Sequence, residues 1–348
     1  MKHLAPDCFH AFACAMGNCP DSCCRAGWEI VIDPETRKRY EALTGPDGET
    51  VRAAVVPGAE ALLRQTDGVC VLLQPDGLCF CQKHFGHDAL CRVCREYPRF
   101  HREFGNLTEH GISLSCPTAF ALAAAKAPTL ESWEDDAPVV LNELDPERYL
   151  ALREGRDLAL RLLLDENRSL ADRIRLVLSL SKRIQDGMNG WIRTGKLACR
   201  RLSSPIGQAA ALRNARIRPT LRTQRARLRQ LARYYRSLEL LNPDWPDALN
   251  RFLDRTDELP ADWIEPDEPE LYARYLWFSL FKYWLDAVDD GLLLARVRRS
   301  LSMTLLGLAM DRVLPAERSW LQRISREIEH CEENLEALLV LEGKRSAQ

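Results

Sequence analysis

The sequence predicts a mainly α protein in two parts: an irregular, cysteine-rich metal-binding N-terminal domain with short strands, followed by an all-helical C-terminal domain. Three observations carry this prediction. The chain has 348 residues, enough for two domains with a core each. Eleven of its 13 cysteines stand at positions 8, 14, 19, 23, 24, 70, 79, 81, 91, 94 and 116, which leaves only Cys199 and Cys331 for the remainder. Beyond about residue 156, apolar residues recur at helical spacing. The boundaries follow from composition: residues 1–125 form the cysteine domain, 126–155 a linker with prolines, many acids and no clean periodicity, and 156–348 the helical domain.

Trp28-Glu29-Ile30-Val31-Ile32-Asp33 alternates and is β-branched enough for a short strand. Asp33 then caps a helix that has Pro34 at its first position. Gln74-Pro75-Asp76-Gly77 is a turn between Cys70 and Cys79. In the C-terminal part Ser169 and Asp172 open a helix that continues through Leu170, Ile174, Val177, Leu178 and Ile184. A second runs from Pro269 to Gly291, and two more follow, from about Leu292 to Val313 and from Ala316 to Leu341. Tyr272, Tyr275, Trp277, Phe278, Phe281, Tyr283 and Trp284 on the second helix are expected to be packing core.

Composition excludes several classes. A hydrophobic content of 46%, a charged content of 28% and a mean hydropathy of −0.28 describe a globular chain. No run approaches the roughly 18 apolar residues that span a bilayer. The start lacks the apolar segment of a signal peptide, so the cytoplasm is the expected location and no membrane partner is expected. A net charge of −2 gives no overall pull toward nucleic acid. The basic stretch from Arg213 to Arg236 is followed by an acidic one from Asp244 to Glu270, and the two are expected to pair with each other or with a protein, not with nucleic acid. Oligomeric state is left open.

In a reducing compartment such a density of cysteines points to metal or redox chemistry, not to disulfides. Thiolates select zinc, copper(I) or iron–sulfur clusters. Only Cys91-Arg92-Val93-Cys94 has the two-residue spacing of a zinc knuckle. The run Cys14-x4-Cys19-x3-Cys23-Cys24 is cramped and turn-rich, as in loops that wrap a cluster and offer backbone N–H groups to its sulfides. Spacing favours an iron–sulfur centre, with zinc as the alternative. His84, His87 and His101 are weaker ligand candidates, since none has a helical partner four residues away.

Phe12-Ala13-Cys14, Cys19-Pro20-Asp21-Ser22-Cys23-Cys24, Gly27-Trp28-Glu29-Ile30, Gly68-Val69-Cys70, Asp76-Gly77-Leu78-Cys79 and Cys94-Arg95-Glu96-Tyr97-Pro98-Arg99 together resemble the flagellin lysine-N-methylase family. That family lies within a wider group of zinc- or iron-chelating cysteine-cluster proteins. Ile112-Ser113-Leu114-Ser115-Cys116-Pro117 and the distant Ser325-Arg326-Glu327-Ile328-Glu329-His330 resemble the methylase itself. The resemblance implies methyl transfer from S-adenosylmethionine to lysine amines of flagellin, by a protein with a cysteine-bound centre, 4Fe-4S in type. It implies Cys14, Cys19, Cys23, Cys24, Cys70, Cys79, Cys94 and Cys116 as the metal set, with Cys8, Cys81 and Cys91 as extras. Cys331 stands where the family pattern has a small polar residue. Eight thiols exceed the four of one cluster, so either two centres exist or half of them do another job.

The adenosylmethionine site is not legible as a Gly-rich turn after a strand. Nor does Cys19-x3-Cys23-Cys24 match the CxxxCxxC loop of a cluster with an open iron. Amine alkylation as a polar displacement needs a deprotonated lysine in line with the sulfonium, and a proton acceptor. Glu327 and His330, three apart on a predicted helix with Arg326 beside them, are the catalytic candidates, and Glu329 is expected to point elsewhere. Trp28, Tyr97 and Arg99 are candidates for cofactor contact, Trp28 as a roof that excludes water. The alternative reading is a non-catalytic chelating or redox-sensing protein, for which the first 125 residues would suffice.

Overall fold

The computed structural model describes residues 1–138, 145–194, 220–314 and 319–344. Cys199, expected to have no metal role, and residues 213–219 of the basic stretch lie outside them. Among the described residues the chain is mainly helical, with its short strands in the N-terminal part.

Local signals hold where they are strongest. Asp33 Oδ1 accepts from the Thr36 N–H at 2.9 Å and caps the helix Pro34–Glu41. Gly77 N–H donates to the Gln74 carbonyl at 2.9 Å, closing the expected turn. Ser169 Oγ accepts from the Asp172 N–H at 3.2 Å and caps the helix Leu170–Thr194. The strand expected over 28–33 is shorter, Val31–Ile32, paired with Ala61–Leu63, and the Ile30 carbonyl accepts from the Leu63 N–H at 2.9 Å at its start.

Four strands form one sheet in the order Arg99–Phe104, Leu107–Ile112, Lys2–Pro6, Leu130–Glu134. Lys2–Pro6 runs parallel to Leu107–Ile112 and antiparallel to Leu130–Glu134. The stretch expected as a linker, 126–155, is not without regular structure. Its acidic stretch contains a sheet strand whose partner lies at the chain start, and the helix Pro146–Leu163 begins inside it, capped by Asp145. Prolines and acids look like a linker because an edge strand and a helix start use the same residues.

Two hydrophobic cores result. The smaller lies between Ile30 and Cys91, including Ile32, Tyr40, Val51, Leu63 and Leu72. The larger joins Ala5, Phe9, Leu107, Leu114 and Ala119 to the helices, so the core does not divide at residue 125. At its centre the helix Leu293–Val313 packs against Leu170–Thr194, Pro269–Tyr283, Trp320–Glu329 and Glu332–Lys344. The aromatic residues of Pro269–Tyr283 are buried there as expected.

Two predicted helices are broken. The one expected to reach Gly291 stops at Tyr283, and short turns lead to Gly291 at φ +73°. The one expected from Ala316 to Leu341 is split into Trp320–Glu329 and Glu332–Lys344, which turns the chain at His330 and Cys331. Buried Arg156 and Glu109 tie the first long helix to the sheet, Nη1 donating to Oε2 at 2.6 Å. Arg229 pairs with Asp257 at 2.6 Å, so the described part of the basic block meets the acidic one. No described helix is long and apolar enough to cross a membrane.

Candidate metal centre

All eight expected cysteines, Cys14, Cys19, Cys23, Cys24, Cys70, Cys79, Cys94 and Cys116, line one cavity of about 380 Å³, joined by Cys81 and Cys91. Cys8 does not; it is buried in the larger core. The loop carrying Cys14 to Cys24 is held by short local bonds. Met16 N–H donates to Cys14 Sγ at 3.3 Å, Cys19 N–H to the Met16 carbonyl at 3.0 Å, and Cys24 N–H to Ser22 Oγ at 3.2 Å. A backbone N–H aimed at a cysteine sulfur is the contact that stabilises a thiolate ligand.

Glycines let this loop touch the turn that carries Cys79. A Cβ on Gly17 would stand 2.7 Å from the Asp76 carbonyl oxygen, and one on Gly77, at φ +78°, 2.9 Å from the Gly17 Cα. Neither position has room for a side chain. The third wall is the turn of helix Arg92–Glu96, whose first N–H donates to Asp33 Oδ2 at 2.8 Å. Asp33 thus caps two helices at once. Burial opposes its ionisation, but the Arg92 and Thr36 donors outweigh that and hold its carboxyl at about 2.

The thiols influence one another as a linked set, with Cys23 bonded to Cys24 and Cys94 feeling both. Cys23 feels Cys14 and Cys116, and Cys116 also feels Cys19. Cys70 and Cys79 both feel Cys24, while Cys94 bonds Cys91. Burial pushes Cys70 and Cys79 up to about 11, whereas the Cys23 thiol bonded to Cys24 brings Cys24 down. So many buried sulfurs cannot ionise together without a cation among them. Among the described residues, no three of these sulfurs lie within 4.8 Å of one another. Tetrahedral zinc, with Zn–S about 2.3 Å, sets its sulfurs about 3.8 Å apart. So many thiols around one cavity suit a thiolate-bound metal.

Tyr97 and Arg99 line the cavity, and Trp28 does not. The half-buried Trp28 ring lies on Tyr97 with centroids 5.2 Å apart, outside the wall. Arg99 Nη2 donates to the Phe12 carbonyl at 2.9 Å and its guanidinium covers the Phe12 ring. Tyr97 Oη is 3.0 Å from Ser115 Oγ, which is 2.9 Å from Ser113 Oγ, and Ser113 donates to Glu329 Oε2 at 3.0 Å. Of the histidines, His87 lines the cavity, His84 pairs with Asp47, and His101 bonds His110.

The helix Trp320–Glu329 explains how residues some 200 positions from Cys116 reach this site. Gln322, Ser325, Arg326 and Glu329 share one stripe at spacings of three and four. Gln322 Nε2 donates to the Ser115 carbonyl at 2.7 Å, and Arg326 donates to the Asp21 and Ser22 carbonyls at 3.2 Å each. The Arg326 guanidinium also lies 5.0 Å over Trp28. Glu329 accepts from Ser325 Oγ at 2.6 Å and pairs with Lys282. Burial would raise the Glu329 carboxyl, but Lys282 and the two serines outweigh it and keep it below its usual range.

The expectation that Glu327 and His330 face a common site while Glu329 points away is reversed. Glu327, 1% exposed, accepts from the Leu241 and Asn242 backbone N–H groups at 3.3 and 3.2 Å and from the Asn242 side chain. His330 falls at the helix end. Arg326 touches the cysteine loop but does not line the cavity. The polar stripe through Glu329 is readable in the sequence as an i, i+3, i+4, i+7 pattern, and Cys91 as half of the CxxC pair, although the family resemblance leaves Cys91 outside the metal set.

A 114-residue segment, 30% of this chain, is 32% identical to the flagellar biosynthetic protein FliU of Salmonella muenchen and covers 67% of that protein. The same length is 32% identical to a lysine-N-methylase of Salmonella typhimurium, and 118 residues are 31% identical to one of Salmonella choleraesuis, in each case 28% of the relative. The match thus spans little more than a quarter of the length of those two lysine-N-methylases. No family model matches the chain, and no solved structure does. The chain belongs to the flagellin lysine-N-methylase family.

Proposed function

We propose that this chain is a protein-lysine N-methyltransferase that moves a methyl group from S-adenosylmethionine to surface lysines of flagellin, with an iron–sulfur centre in the cysteine cavity. The observation that carries the reading is the docking of the helix Trp320–Glu329 onto the loops of that cavity. A bare chelating module would not need a helical region that reaches back to its metal loops. The names of the two lysine-N-methylases it resembles point the same way.

Within this reading the centre would be held by thiolates from the set Cys14, Cys19, Cys23, Cys24, Cys70, Cys79, Cys94 and Cys116, with Cys81 and Cys91 in the same wall. A bound cluster supplies a redox-active core that orders these loops. Methyl transfer itself is a displacement: the amine lone pair attacks the sulfonium methyl carbon, and the carbon–sulfur bond breaks with its electrons left on sulfur. The lysine must first lose a proton. Tyr97, Ser115 and Ser113 offer a hydroxyl path from the cavity to the ionised Glu329. Arg326 acts as a positioning residue, Tyr97 and Arg99 face the reacting groups, and Glu327 and His330 stand outside the path.

Anaerobically purified protein incubated with adenosylmethionine and flagellin should add mass to lysines in steps of one methyl. Glu329→Gln or Ser113→Ala should slow the reaction and move its pH profile upward, as loss of a proton acceptor requires. If metal-loaded wild type labels no lysine, the non-catalytic chelating or redox-sensing reading takes its place.

A further inference from the structure

We propose that Glu239, His330 and Cys331, with Glu333 as fourth ligand, form a separate site for a divalent cation of the zinc class. The ligating atoms of the first three all lie within 4.8 Å of one another. Cys331 Sγ is 3.4 Å from Glu239 Oε2 and 3.2 Å from Glu333 Oε2. Around tetrahedral zinc, with Zn–S about 2.3 Å and Zn–O about 2.0 Å, the sulfur–oxygen edge is about 3.5 Å. The groups therefore already stand near ligand separation.

Their present pairing is incomplete. One thiol carries one proton, yet two carboxylates approach it, so one of them is left facing sulfur without a shared hydrogen. His330 Nδ1 is shielded from solvent and has no hydrogen-bond partner among the described residues. A cation that replaces the thiol proton would satisfy all of these groups. The mixture of sulfur, nitrogen and carboxylate oxygen suits zinc or cobalt(II), and not the all-oxygen preference of calcium or magnesium.

The site is built from both sides. The break between the helices Trp320–Glu329 and Glu332–Lys344 puts His330 and Cys331 on a corner. Glu239 reaches that corner because its loop is pinned. Its N–H donates to Asn334 Oδ1 and its carbonyl accepts from Asn334 Nδ2, both at 2.9 Å. Two residues on, buried Glu327 holds Leu241 and Asn242. Glu239 and Glu333 are exposed, which leaves an entry path, while Cys331 is 5% exposed. None of the four ligands lines the cysteine cavity.

The test is a cobalt(II) titration of the full chain, wild type against Cys331→Ser, read by the thiolate-to-cobalt charge-transfer band and by metal analysis. The difference isolates this site from the cavity thiols, which both proteins share. Wild type should take up one more equivalent than Cys331→Ser. Glu239→Gln and His330→Gln, on less buried positions, should each weaken that equivalent at least tenfold. Added zinc should raise the thermal midpoint of wild type more than that of any of the three variants. Equal uptake by wild type and Cys331→Ser with an unchanged band overturns the proposal. So does a set of folded Glu239→Gln and His330→Gln proteins that bind as wild type does.

Discussion

Replacing Arg326 by alanine should detach the cysteine loop from the helix that holds it. The side chain is 3% exposed and makes two hydrogen bonds to the Asp21 and Ser22 carbonyls, an ion pair with Asp21 Oδ1 at 3.3 Å, and a stacked contact with Trp28. Hydrogen bonds from a charged donor contribute about 1.5–3 kcal/mol each, and the cation–π contact about 0.5–1 kcal/mol. Asp21 is 29% exposed and would regain water, which discounts its ion pair. Because these terms share one side chain they do not add fully, and a loss of about 3 kcal/mol is the working figure. That corresponds to roughly a hundredfold rise in the undocked population of the loop. The assay is the rate at which a chelator removes metal from anaerobically prepared protein, alongside urea unfolding. Release should be faster by up to about two orders of magnitude, with Arg326→Lys intermediate because an ammonium keeps the charge and loses the two-pronged geometry. Wild-type release and an unchanged urea midpoint in Arg326→Ala would refute the reasoning.

Three further outcomes follow from particular contacts. Gly17→Ala should abolish stoichiometric metal loading while leaving the helical signal in circular dichroism largely intact, because the new Cβ meets the Asp76 backbone oxygen at 2.7 Å. Glu109→Ala should lower stability by about 3–5 kcal/mol in urea unfolding, since it strands a fully buried Arg156 charge; a loss below about 1 kcal/mol would contradict this. Acid should also loosen the sheet. Burial, then His101, His3 and His10, hold His110 down at about 4, with Asp135 opposing them. The unfolded chain takes up that proton at about 6.5 and the folded one resists it, so stability is full above about pH 6.5 and declines toward pH 4. The shift sets an upper limit of about 3 kcal/mol, and solvent screening at this half-buried ring leaves about 1–2 kcal/mol. Urea midpoints measured across that range check it, and His110→Gln should flatten the decline.

The features legible in the sequence act over a few residues. Asp33 with Pro34, Gln74 to Gly77, and Ser169 with Asp172 each satisfy backbone donors or a turn within their own segment, so their chemistry identifies them. The crowding of cysteines is likewise visible, because a shared ligand requires many thiols whatever brings them together. Tertiary structure alone decided the rest, for each case depends on a partner far along the chain. Lys2–Pro6 becomes a central strand only through Leu107–Ile112 and Leu130–Glu134. Cys91 and Cys94 are paired by their spacing, but only the fold sets them in one wall with the thiols of residues 14–24. The segment from Ser325 to His330 divides its roles by helix face: Arg326 and Glu329 turn to the cysteine region, Glu327 to the loop at Leu241, and His330, past the last turn, to Glu239 and Cys331. Adjacent residues on a helix point about 100° apart, so which of them meets the site depends on what packs against each face.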